Sequence, residues 1–145
     1  MKILFTLPFL ATCLLAQEPN KDIKEGHSHN GHAFNEGPRQ EGPLMGSTGN
    51  VHLAITSSWD KGQAYFNQGL GQLHGFYYYE AERSFRAILA HDPNCAMAYW
   101  GLSQANYENE KRAKEFIAKA GELLKKEDFK ISEHERAYLN AEVSY

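Results

Sequence analysis

Ala64-Tyr65-Phe66-Asn67-Gln68-Gly69-Leu70 is answered 34 residues downstream by Ala98-Tyr99-Trp100-Gly101-Leu102-Ser103-Gln104. In both stretches an alanine, a tyrosine and a second aromatic come first, and a small residue, Gly69 or Ser103, stands four positions after the tyrosine. Farther on, Ala81, Phe85 and Ile88 are answered by Ala113, Ile117 and Ala120 at an offset of 32, so the second unit has a turn two residues shorter. Spacings of three and four residues put each set on one face of a helix. Apolar positions continue this rhythm, and polar breaks fall at His74-Gly75, Asp92-Pro93-Asn94, Glu108-Asn109-Glu110 and Lys126-Glu127-Asp128. Ser132, followed three residues on by Glu135, opens a last helix with a capping box. Five helices are predicted, none longer than about five turns. Composition agrees: Ser58 to Tyr145 holds 15 of the 18 aromatics, a single proline, four β-branched residues and no threonine.

A helix–turn–helix unit repeating near 34 residues resembles the tetratricopeptide repeat. Tyr65 with Gly69, and Tyr99 with Ser103, match the aromatic and small positions of that family's first helix. Tyr78, Ala81 and Phe85 match its second helix, and Pro93 closes the unit where the family has its proline. Gln72 and Ile88 depart from the pattern, and Ala120 to Lys126 lacks a closing proline. The resemblance implies an all-α fold of helix-turn-helix repeats in a short right-handed solenoid, with units at about 62–95 and 96–127 and a partial third at 132–145. Asn35 to Gln40, Gln68 to Phe76 and Asn94 to Gly101 also look like the beginning of longer exported bacterial members, which implies that further repeats of the same protein follow Tyr145.

The same resemblance assigns a concave groove to the first helices: Gln63, Phe66, Leu70, Leu73 and His74 from one unit, and Met97, Trp100, Gln104, Tyr107 and Glu108 from the next. Members that clamp a C-terminal carboxylate use Lys and Asn where this chain has Phe66, Leu70 and Gly101, so the groove suits an apolar peptide or a helix instead. The same side chains also serve if they only pack against neighbouring units.

Upstream the chain changes character. Lys2 precedes the thirteen-residue apolar run Ile3 to Leu15, which ends at the small residue Ala16, and the sequence turns polar at once with Gln17-Glu18-Pro19. A membrane span needs roughly 20 apolar residues, so residues 1–16 read as a Sec signal peptide of a periplasmic or extracellular protein. Lipid attachment at Cys13 is not expected, because Thr12 is a poor fit before the cysteine and Leu14-Leu15 prolong the apolar run. Residues 17–57 hold six of the 12 glycines and three of the five prolines and read as a mostly irregular linker. Within it, Pro43-Leu44-Met45 and Val51 to Ile55 carry enough apolar side chains to lie against the domain. Removing Lys2 and Cys13 leaves 14 basic against 18 acidic residues, a charge of −4, and one cysteine, Cys95. That excludes an internal disulfide and argues against nucleic acid as a partner.

No catalytic constellation emerges, and no cofactor is implied. Cys95 sits near a helix start but has no base or oxyanion site in the pattern, so it reads as a small core residue. Phe76-Tyr77-Tyr78-Tyr79 spans a turn and a helix entry and reads as part core, part rim. Lys111, Arg112, Lys114, Lys119, Lys125, Lys126 and Lys130 interleave with acidic residues as a solvated face. The expected function is a non-enzymatic scaffold for protein or peptide binding. The alternative is periplasmic metal handling through His27, His29 and His32, three imidazoles on a linker without a fourth ligand. Titration with copper or zinc separates the two. The scaffold predicts no stoichiometric site tighter than about micromolar, whereas a tighter site lost in His29→Ala sinks it.

Overall fold

The computed structural model describes residues 41–144 apart from Ser47. The signal peptide, Cys13 and the His27/His29/His32 cluster lie outside the described residues. Among the described residues the secondary structure is wholly helical: α1 (Gly62–His74), α2 (Tyr78–His91), α3 (Ala96–Ala105), α4 (Glu110–Leu124) and α5 (Glu133–Val143). Helix ends follow local chemistry. Asn109 caps α4 by accepting from the Arg112 N–H, and Ser132 and Glu135 form the reciprocal capping box of α5. At the end of α1 the Tyr77 N–H donates to the Gln72 carbonyl and the Phe76 N–H to that of Leu73, a Schellman closure. Its left-handed position falls on Phe76, at φ 63°, and not on Gly75, whose φ is −85°. A Cβ on Gly75 would come 2.9 Å from the exposed Tyr77 ring, which would have to shift.

The helices pack in chain order. α1 lies on α2 and α3 on α4 as two hairpins, α2 bridges them by packing on α3, and α5 rests on α4 and α3. This order is consistent with a helical repeat. A close helix contact centres on Phe85 of α2, which is fully buried. A Cβ on Gly69 of α1 would stand 2.7 Å from its ring, and one on Gly101 of α3 would stand 2.5 Å from it. Two glycines thus let α1 and α3 close on the same ring from two sides. Phe66 (5.5 Å between centroids), Ile88, Leu89, Tyr99 and Leu102 complete the core around it.

Beside this apolar core lies a buried polar knot that the sequence pattern did not reveal. Glu82 (3% exposed) accepts from Arg86 Nε at 2.8 Å, from Arg112 at 2.8 Å and from Asn106 Nδ2 at 3.2 Å. Both guanidinium groups also lie over the Phe116 ring, at 5.7 and 5.8 Å. Burial pushes the Arg86 guanidinium below its ordinary range, and Glu82 opposes that shift. Arg112 therefore leaves the solvated face expected for its basic neighbours, because a carboxylate this deep demands compensation. Lys114 (with Glu110, 2.6 Å) and Lys119 (with Glu122, 3.2 Å) do form exposed pairs at helical spacing.

Residues 41–46 and 48–58 form a strap, without helix or strand, around α1. Gln68 accepts from the Met45 N–H (2.6 Å) and donates to the Pro43 carbonyl (2.9 Å), leaving the Leu44 and Met45 side chains exposed. The strap crosses α1 at Gly71, where any Cβ would overlap the Thr48 carbonyl. It then runs back with Leu53 and Ile55 against the core. Thr56 donates twice to Glu135, at 2.6 Å each, and Ser57 and Ser58 donate to Asp92 at 2.8 and 2.7 Å. Trp59 closes the wrap, stacked between His91 (4.2 Å) and Tyr65 (5.0 Å).

Gly101→Ala tests the Phe85 wedge. Alanine improves helix propensity by about 1 kcal/mol, but overpacking costs about 1–3 kcal/mol and the ring cannot retreat toward Gly69. A net loss of about 1–2 kcal/mol in urea unfolding is expected, and an unchanged or raised midpoint refutes the wedge.

Candidate functional site

A groove of about 690 Å³ opens between the strap, α1, α3 and α5. Its walls carry Leu70, Leu73 and His74 from α1, and Trp100, Gln104 and Tyr107 from α3 and the turn after it. Six of the ten residues assigned from sequence thus come together on one surface. The other four are placed differently. Phe66 and Met97 are buried, Phe66 within 6.3 Å of Trp100 between centroids, so they form the layer beneath the groove. Gln63 faces the strap, accepting from the Ile55 N–H (3.0 Å) and donating to the Leu53 carbonyl (2.9 Å). Glu108 stands off the wall and accepts from the Tyr107 hydroxyl at 2.9 Å.

Five lining residues were not assigned from sequence: Val51, His52 and Leu53 of the strap, Tyr78 of α2 and Tyr138 of α5. Tyr138 meets Trp100 edge-on at 6.0 Å and stacks on His134 at 5.1 Å. The capping box located α5, but only packing shows which of its faces meets α3. Tyr78 lies 5.1 Å from Tyr107, and hydrogen bonding with Tyr78, then with Glu108, pushes the Tyr107 phenol up to about 12. Gln104 donates to Glu142 at 2.9 Å, tying α3 to the end of α5.

The groove is therefore aromatic and apolar with a few neutral polar groups at its rim. Such a surface offers dispersion and ring contacts to a partner chain. Among the described residues no set of three or more His, Cys, Asp or Glu is arranged to hold a metal ion. A second cleft of about 780 Å³ lies between α3, α4 and the end of α5, where small residues such as Ala113 and Gly121 form the floor and charged side chains the walls. Phe76, Tyr77 and Tyr79 are exposed at the α1–α2 turn, away from the groove, while Tyr78 turns inward. No described helix is long and apolar enough to cross a membrane.

Cys95, at the start of α3, is 1% exposed, and burial pushes its thiol up to about 12. At neutral pH it is a protonated core side chain and not a nucleophile. No family model, curated protein or solved structure matches the chain.

The Cys95 shift carries a pH dependence. The folded thiol titrates above its ordinary 9.0, so its contribution to stability is complete below pH 9 and is lost as pH rises toward about 12. Each pH unit in that window removes up to about 1.4 kcal/mol. Urea unfolding of the parent protein should weaken more steeply between pH 9 and 11 than that of Cys95→Ala, and parallel slopes contradict the assignment.

Proposed function

We propose that the chain is an exported, non-enzymatic scaffold of the tetratricopeptide-repeat kind, a short right-handed solenoid whose concave groove binds a partner protein through a peptide or a helix. The observation that carries this reading is the groove's aromatic wall: Trp100 and Tyr138 at right angles, with Tyr107 and Tyr78 beside them. Tyr107 and Tyr138 are exposed, at 55% and 43%, so large rigid rings stand in solvent around a concavity. Trp and Tyr dominate binding energy at protein interfaces because they bury much area for little lost side-chain freedom. The 34-residue offset and the chain-order packing support the repeat reading, and residues 1–16 of the sequence support export.

The experiment is selection of binders from a displayed peptide library on the full chain, followed by comparison of the parent protein with Trp100→Ala. Peptides that use the groove should bind the variant at least about tenfold more weakly, the usual effect of truncating an aromatic anchor. Unchanged affinity for a variant of normal helicity places binding elsewhere and refutes the reading.

A further inference from the structure

We propose that residues 51–56 are a displaceable strap along α1 that walls this groove, and that α1 accepts in their place an extended peptide with apolar side chains at alternate positions. The proposal rests on the scaffold reading for the existence of a partner and adds what the partner must be: an extended strand, not a helix.

Three observations carry it. First, Val51, Leu53 and Ile55 are half-buried while His52, Ala54 and Thr56 are exposed, the two-residue alternation of an extended chain laid on a surface. Second, the Gln63 carboxamide recognises that chain through its backbone alone, accepting from the N–H of Ile55 and donating to the carbonyl of Leu53 two residues earlier. Any extended peptide presents this pair with the same spacing, whereas in a helix those groups are bonded along the helix. Gln68 repeats the geometry on Met45 and Pro43, so α1 carries two readers of extended backbone. Third, the strap is held unevenly. Thr56, Ser57 and Ser58 are pinned by four hydrogen bonds to Glu135 and Asp92. On the other flank Gly42 donates to the Arg83 carbonyl at 3.3 Å and Gln68 holds Met45 and Pro43. Between these flanks, contacts among the described residues hold 51–55 through Gln63, a 3.2 Å contact of His52 with Asn67, and the side chains of Leu53 and Ile55. The middle of the strap can therefore lift from α1 while both flanks stay anchored.

An incoming peptide gains what the strap lacks. It can take over the strap's hydrogen bonds to Gln63 and continue past Leu70 and Leu73 across the open groove to Trp100 and Tyr138. The tethered strap competes at high effective concentration, so the closed state suppresses weak peptides and admits those that also fill the aromatic end.

The test uses the full chain and a fluorescein-labelled synthetic copy of residues 50–57. In Leu53→Asp/Ile55→Asp the chain's own strap is expelled. This variant should bind the probe with a Kd of about 100 µM or tighter, at least about tenfold tighter than the parent protein, and adding Gln63→Ala should reverse the gain. A folded variant that ignores the probe, or binding that survives Gln63→Ala, overturns the proposal. So does a parent protein that dimerises and is returned to monomer by Gln63→Ala, since the strap then belongs to a second copy. Should the double variant fail to fold, hydrogen exchange of the parent protein decides. The Ile55 amide must exchange through an opening that leaves the α1–α4 amides protected, and exchange only by global unfolding overturns the proposal. That last result would leave the scaffold reading intact, whereas a library without groove binders would refute the scaffold and leave the strap result standing.

Discussion

Phe85 is held between two glycines on two different helices, and the rest of the molecule is arranged around that contact. Because neither Gly69 nor Gly101 has a side chain, α1 and α3 can approach the same ring from two sides, and α2 becomes a wedge shared by both hairpins. The approach sets where the outer faces of α1 and α3 lie. Leu70, Leu73, Trp100 and Gln104 then flank one concavity with Phe66 as the floor beneath. An interior packed to crystal-like density transmits such a constraint, so a methyl group at either glycine is felt at the groove wall.

The same helix carries the polar counterpart of the wedge. Glu82, one turn before Phe85, gathers Arg86 from its own helix, Asn106 from the turn after α3 and Arg112 from α4. A buried ion cluster is a weak source of net stability, because desolvation offsets most of its attraction. Its geometry is demanding, however, since Asn106 and Arg112 must both reach Glu82 while Phe116 lies beneath both guanidinium groups. Apolar packing gives the hairpins a reason to associate, and the polar knot favours one register of the association.

Glu135 plays a comparable part for the strap. As the N3 residue of α5 it completes a helix cap, and with the same carboxylate it accepts both hydrogen bonds from Thr56. One buried carboxylate thus couples the start of the domain to its last helix, and the strap acquires firm flanks around a more lightly held middle. On the proposed scaffold reading, a groove walled by its own strap discriminates between partners by what they can add beyond the strap's reach.

Much of this was legible in the residues. Periodicity and breaks located five helices, the Ser132/Glu135 pair identified its cap, and the pairing of Tyr65 with Gly69 marked where a close helix contact belongs, because these are local properties of the chain. The repeat resemblance likewise assigned Leu70, Leu73 and Trp100 to first-helix faces, and Tyr107 to the same groove although it stands in the turn after α3. The remainder depended on residues distant in sequence. Gly101 rather than Ser103 receives the Phe85 ring, Arg112 turns inward to Glu82, Phe66 sinks below the groove, and Gln63 is occupied by the strap. The sequence by itself determined which residues form helices and which side of each helix is apolar, since hydrogen bonding and side-chain spacing within a few residues decide both. Only the tertiary structure decided which buried charges meet, and what walls the groove, because both depend on desolvation and contact between segments that the chain brings together from tens of residues apart.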